Sequence, residues 1–151
     1  MDFLSAGQRY FSDYTQLQLL PFFSRVTGEF EGLDIGTVVV LLPFHHPVDI
    51  AERVAILDAL HDGTTALDVG AGYRDIEFEV FEVPKSEHVS LLIEAVGPSK
   101  RLLSEDDVTY DGEYYTVGDA TIPIQSADID VRMAGNANTP SIALQADLMH
   151  G

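Results

Sequence analysis

The feature that most constrains this chain is the run from Leu33 to Tyr73, where an apolar stretch, a proline turn, an amphipathic segment and a second apolar stretch lead into Gly70-Ala71-Gly72. Ile35 to Leu42 is almost unbroken apolar sequence rich in β-branched residues, which suits a strand covered on both faces better than one with a wet face. Pro43 and Phe44-His45-His46 end that strand, and Pro47 stands at the first position of a helix, where proline is tolerated. From Val48 to Leu60, Val48, Ala51, Val54, Ala55, Ile56 and Leu57 crowd one broad face, with Asp49, Glu52, Arg53 and Asp58 as its polar positions. Asp62-Gly63 stops the helix, and Thr65 to Val69 forms the next strand. The result is two parallel strands joined by a crossover helix. The Gly-x-Gly turn lies at the carboxyl end of the second strand, the end at which parallel α/β folds bind ligands.

The flanking sequence is read more coarsely. Residues 1 to 13 are polar and aromatic without a clear period. Gln16 to Val26 reads as a helix that Pro21 either kinks or starts. Ser86 to Leu103 reads as a helix with Val89, Leu92, Ile93, Val96, Leu102 and Leu103 inward. A break is expected at Gly97-Pro98, because an interior proline costs about 3 kcal/mol. Val108 to Val117 alternates around Asp111-Gly112, a hairpin signal. Asp130 to Ala134 is a further strand, Gly135 to Thr139 its outgoing turn, and Pro140 to Leu148 a short terminal helix. With 151 residues, 46% of them hydrophobic, the chain can bury one core, so residues 1–151 are read as a single domain.

Charge narrows the function classes. Twenty-five acidic residues against 8 basic ones give a net charge of −17, which disfavours nucleic acid and anionic membranes as partners. The acids are scattered rather than gathered in a tail, and adaptation to high salt is the expected reason. There is no cysteine, which excludes disulfides and thiolate chemistry. No twenty-residue apolar segment or basic leader is present, so a soluble cytoplasmic protein is expected. No acidic calcium loop occurs, and the adjacent His45 and His46 do not readily share one ion, so no metal site is expected. Asp68 reads as a solvent-facing strand residue without a partner. Glu77, Glu79 and Glu82 read as a solvated face, and Tyr110, Tyr114 and Tyr115 as a surface turn beside Asp106-Asp107. No nucleophile–base pair can be assembled, so no catalytic residue is assigned.

Several of these segments together carry a resemblance. Gly36-Thr-Val-Val-Val-Leu-Leu-Pro-Phe-His-His-Pro47, Ala51-Glu52, Leu57-Asp58-x-Leu60, Gly63, Val69-Gly-Ala-Gly-Tyr73, Phe78-x-x-Phe81, the Glu105–Tyr115 hairpin and Met133-Ala-Gly-Asn136 occur in the order and at about the spacing of the bacterial-luciferase-like flavin monooxygenase family. The resemblance implies an α/β fold: a partial TIM (β/α)8 barrel of about three parallel strands, near the third through fifth, with flanking helices and a β-hairpin insertion. Relative to the family the domain is expected to be truncated at both ends, since a full barrel needs roughly 200 to 250 residues. It also implies FMN or a deazaflavin coenzyme. Val38 and Val39 fall where the family has a non-prolyl cis peptide against the coenzyme ring, and Gly70, Gly72 and Tyr73 fall beside it. Gly135, Asn136, Asn138 and Thr139 fall where the phosphate meets a helix start, a place at which exposed amides favour an anion. The implied function is a flavin-dependent oxidoreductase or monooxygenase acting on an unread small molecule, incomplete until a second copy or a second chain completes the barrel. The alternative is a non-catalytic remnant, or a self-associating structural protein without cofactor.

Overall fold

The computed structural model describes residues 2–135. Four parallel positions make its main sheet, with strand β1 (Phe3–Ala6) at one edge. Helix α1 (Leu19–Thr27) leads to β2 (Asp34–Thr37), which continues after two residues as β3 (Val40–Leu41). Helix α2 (Pro47–Ala59) crosses back to β4 (Thr65–Gly70). Helices α3 (Asp75–Val80) and α4 (His88–Ser104) precede an antiparallel hairpin, β5 (Val108–Asp111) and β6 (Thr116–Ala120), and the chain then enters β7 (Asp130–Met133). β2 pairs with β1 and β4, β3 pairs further along the same side of β4, and β7 pairs the other side of β4, all in parallel. Spatial order therefore follows chain order, as in the wall of a barrel.

Local chemistry accounts for the helices. The His46 ring caps α2 by accepting from Val48 N at 3.3 Å, and Pro47 occupies the first turn. Ile50, Ala51, Val54, Ala55 and Leu57 then turn inward, at most 3% exposed. Pro21 sits in the first turn of α1, so it marks a start rather than a kink. Leu19, Phe23 and Thr27, spaced by one turn, are buried.

The structure departs from expectation in four places. An additional strand, β1, pairs Phe3 to Ala6 with Asp34 to Thr37, so the sheet is one strand larger than the three expected. The strand expected from Ile35 to Leu42 is interrupted at Val38–Val39, where the peptide bond is cis, as the resemblance implied for this position. α4 runs unbroken through Pro98. Leu92, Val96, Leu102 and Leu103 of this helix are buried, and at about 1.5–3 kcal/mol each their burial outweighs the roughly 3 kcal/mol of one interior proline. Finally, the hairpin turn lies at residues 112–115, where Glu94 of α4 accepts from the amides of Glu113, Tyr114 and Tyr115 at 2.9–3.2 Å. Tyr115 is 8% exposed with its ring edge-on to His46, so it belongs to the core rather than the surface. The terminal helix expected over residues 140–148 lies outside the described residues.

Candidate functional site

Alternate residues of each strand face opposite sides of a sheet. Leu4, Ile35, Leu67, Val69, Val131 and Met133 face the helices and join the core. The opposite face carries Phe3, Ser5, Gly36, Ala66, Asp68 and Arg132, with Ser5, Gly36 and Ala66 in one row across the strands and Asp68 and Arg132 in the next. It is the inner face of the arc. Asp68 has a partner there, contrary to expectation: Arg132 Nε lies 2.6 Å from its Oδ1, directly across the β4–β7 ladder. The sequence distance of 64 residues hid this pair.

The carboxyl ends of β1, β3 and β4 converge on one corner. Gly7 follows β1, and a Cβ there would lie 2.7 Å from Val38 O. A Cβ at Gly70 would meet Val39 Cγ2 at 2.6 Å, so strand β4 lies against the Val39 side chain in a space that only glycine leaves. Gly72 takes φ +75°, the left-handed turn that glycine adopts freely. The chain is thereby turned away, leaving Val38 55% and Tyr73 73% exposed. Gly135 is exposed beyond β7. Asn136, Asn138 and Thr139 lie outside the described residues.

A hydrogen-bonded frame surrounds this corner, and sequence reading missed most of it. Gln8 N donates to Val39 O at 3.0 Å, while Gln8 Oε1 accepts from Leu41 N at 2.8 Å and lies 3.2 Å from His45 Nε2. A backbone amide can only donate, so the Gln8 oxygen must face it, and His45 then carries its proton on Nε2. Burial holds the His45 pKa below its ordinary value, with Arg53 adding to the effect and Asp49 opposing it. The imidazole is neutral at pH 7. Gln8 Nε2 donates to the Tyr10 hydroxyl at 2.9 Å, and burial raises the Tyr10 pKa, keeping the phenol protonated.

Below the Tyr10 segment lies Glu77. The sequence placed it on a solvated face, but it is 2% exposed. Its Oε1 accepts from Tyr10 N at 2.9 Å and from Arg74 Nη1 at 3.1 Å, while Arg74 also donates to Tyr10 O and Phe11 O. Burying a carboxylate demands such pairing. Arg74 and Glu77 stand three apart on a short helix, a legible pair, but their third partner is 67 residues from Glu77. Tyr10 packs against Phe44 and Phe81, and Phe44 in turn against Phe78 and Phe81, at ring separations of 4.7–6.2 Å, tying the loops after β1 and β3 to α3.

Between these loops lies a cavity of about 260 Å³, lined by Gln8, Arg9, Tyr14, Gln16, Tyr73 and Glu77 among others. A larger one of about 730 Å³ opens at the opposite end, near Asp2, Phe3, Glu29, Phe30 and Glu31. The smaller is the better candidate, because parallel sheets bind at their carboxyl ends and because the larger presents carboxylates and no cation. Among the described residues no group of three or more His, Asp or Glu is placed to hold a metal ion. No helix among them is long and apolar enough to cross a membrane.

Comparison with known proteins agrees with this architecture. The family model described as luciferase-like monooxygenase matches residues 1–151. A relative from Microbacterium testaceum, the F420-dependent glucose-6-phosphate dehydrogenase, is 35% identical over 126 residues, covering 80% of this chain and 38% of its own. Among solved structures, the monooxygenase RslO1 from Streptomyces bottropensis superposes with a TM-score of 0.85 at 24% identity, over 93% of this chain and 44% of that one. The FMN complex of the oxygenating constituent of 3,6-diketocamphane monooxygenase from Pseudomonas putida superposes with a TM-score of 0.80 at 14% identity, over 95% and 44%. The chain thus spans about two fifths of the length of these relatives.

Proposed function

The chain belongs to the luciferase-like monooxygenase family, and from that premise we propose that it forms part of a flavin- or deazaflavin-dependent oxidoreductase. The coenzyme ring lies against Val38, Val39, Gly70, Gly72 and Tyr73. The observation that carries this reading is the uncovered apolar surface at the carboxyl end of the sheet, where Val38 and Tyr73 stand 55% and 73% exposed beside a strand end that has no side chain at Gly70. A flat, largely apolar ring fits such a floor. Gly135, at the end of β7, adjoins the segment through Asn136, Asn138 and Thr139 that would receive the phosphate.

When bound, the coenzyme supplies hydride or oxygen chemistry. The chain's own part is positioning and exclusion of water. Gln8 ties the β1 loop to Leu41 and His45, and the aromatic cluster of Tyr10, Phe44, Phe78 and Phe81 walls the corner with apolar surface. His45 and Tyr10 stay uncharged there: the His45 Nε2 proton is held by Gln8 Oε1, and the Tyr10 hydroxyl oxygen accepts from Gln8 Nε2. Relatives lend support to both coenzyme classes, one solved with FMN and another named for F420. The remaining wall of the pocket comes from a second copy of this chain or from another chain carrying the other strands, since β1 and β7 are each paired on one side only among the described residues.

Fluorescence titration of the purified protein with FMN and with coenzyme F420 tests the proposal. Saturable binding of one of them, weakened at least tenfold in Val38→Asp, is the expected result. Absence of binding by a folded protein would leave the non-catalytic alternative in its place.

A further inference from the structure

A cation without a counter-ion is unusual in a chain of net charge −17. Arg25, Arg53, Arg74, Lys85, Arg101 and Arg132 each pair with a carboxylate. Lys100 is exposed on the outer helix α4, where water solvates it. Arg9 differs from all of these. Among the described residues its side chain makes no ion pair or hydrogen bond, and its Nε is buried without a partner. It lines the cavity of about 260 Å³ at the carboxyl end of the sheet, with its guanidinium 5.9 Å from the centre of the Tyr14 ring.

Arg9 is also held in place from both sides. Gln8 is bonded to Val39 O and Leu41 N, and Tyr10 N to Glu77. The nearest acid in the cavity wall, Glu77, is already taken by Tyr10 N and Arg74. The Arg9 Nε–H is closed to solvent while the side chain as a whole is half-buried, so a cavity ligand reaches that N–H by a shift of the guanidinium, which relieves a costly unpaired donor. From this geometry we infer that Arg9 is a binding residue for the carboxylate of a small organic acid, seated between the Tyr14 and Tyr73 side of the cavity and the sheet. The inference deepens the proposed function by assigning a substrate class, and it rests on that reading of the carboxyl end as the active site.

The choice of ligand follows from charge and size. One uncompensated guanidinium offers a planar fork that matches a carboxylate bidentately. Arg74 also lines the cavity but is already taken by Glu77, Tyr10 O and Phe11 O, so a phosphate dianion would face one unpaired cation, the Glu77 carboxylate and the negative field of the whole chain. The cavity is smaller than the pockets of roughly 300–1,000 Å³ that hold drug-sized ligands, and tyrosines stand on it to receive an apolar or aromatic body.

Benzoate is a suitable probe, with benzamide as its uncharged counterpart, both titrated at constant ionic strength in the absence of coenzyme. The readouts are the nitrogen-15 shift of Arg9 Nε in the unmodified protein and the dissociation constant for Arg9→Gln. Expected are a saturable shift of the Arg9 Nε–H with benzoate, at least tenfold weaker binding of benzamide, and at least tenfold weaker binding of benzoate to Arg9→Gln. An Arg9 Nε signal that stays unmoved, or equal benzoate affinity in a folded Arg9→Gln, overturns the inference. FMN titration of the same two proteins reports separately on the coenzyme reading, which can fail while benzoate binding persists.

Discussion

Glu77 shows how much of this site depends on single side chains. A carboxylate 2% exposed, accepting from Tyr10 N and paired with Arg74, cannot be removed without leaving the Tyr10 amide unsatisfied and the half-buried Arg74 guanidinium without its counter-ion. Glu77→Ala is expected to cost about 2–4 kcal/mol, read as a lower urea midpoint, and Glu77→Gln about half of that because the amide oxygen still accepts from Tyr10. His45 makes the site sensitive to acid. Its folded-state pKa lies below the ordinary 6.5 because burial and Arg53 penalise the imidazolium, against the weaker pull of Asp49. The unfolded chain therefore binds the proton first as pH falls. Stability is complete above about pH 6.5 and declines as pH drops through that value toward the lowered one. Thermal melts of the parent protein between pH 7.5 and 5.5 should show a larger loss than those of His45→Gln, whose amide titrates nowhere in that range. Equal losses would remove His45 from the account.

At the scale of elements, the hairpin is set by a helix rather than by its own turn sequence. Glu94 on α4 accepts from three successive amides, those of Glu113, Tyr114 and Tyr115, and so acts as the fastener of β5 and β6. Glu94→Ala should destabilise the fold by about 1–3 kcal/mol, and amide exchange at Tyr114 and Tyr115 should accelerate well before that of the β4 amides. Uniform acceleration would mean that the clamp is not local. The same elements show what a sequence can and cannot disclose. The unit from β2 to β4 was legible because both strands lie in short apolar runs and a helix with proline in its first turn separates them. Strand β1 was not, since its four residues alternate between exposed and half-buried at an edge, a pattern too short to separate from a loop. The course of α4 through Pro98 was misjudged because a local propensity was weighed without the packing that overrides it.

At the scale of the molecule, four parallel positions form part of a barrel wall, and its open inner face explains why Phe3, Val38 and Tyr73 stand exposed. The glycines of the site were legible through the resemblance. Gln8, Arg9, Tyr10 and Glu77 were not, because they act only once the β1 loop is folded onto α3, across 67 residues of chain. The central claim is that the coenzyme ring lies on the inner face at the carboxyl ends of the strands, not in the larger cavity at the other end. Methyl and amide chemical-shift mapping during titration with FMN or coenzyme F420 tests this most directly. The account predicts large ring-current shifts at the Val38 and Val39 methyls and at the Gly70 and Gly72 amides, with little change at Val26, Leu4 and Leu33. Shifts confined to that second group would place the ligand in the wrong cavity and contradict the account.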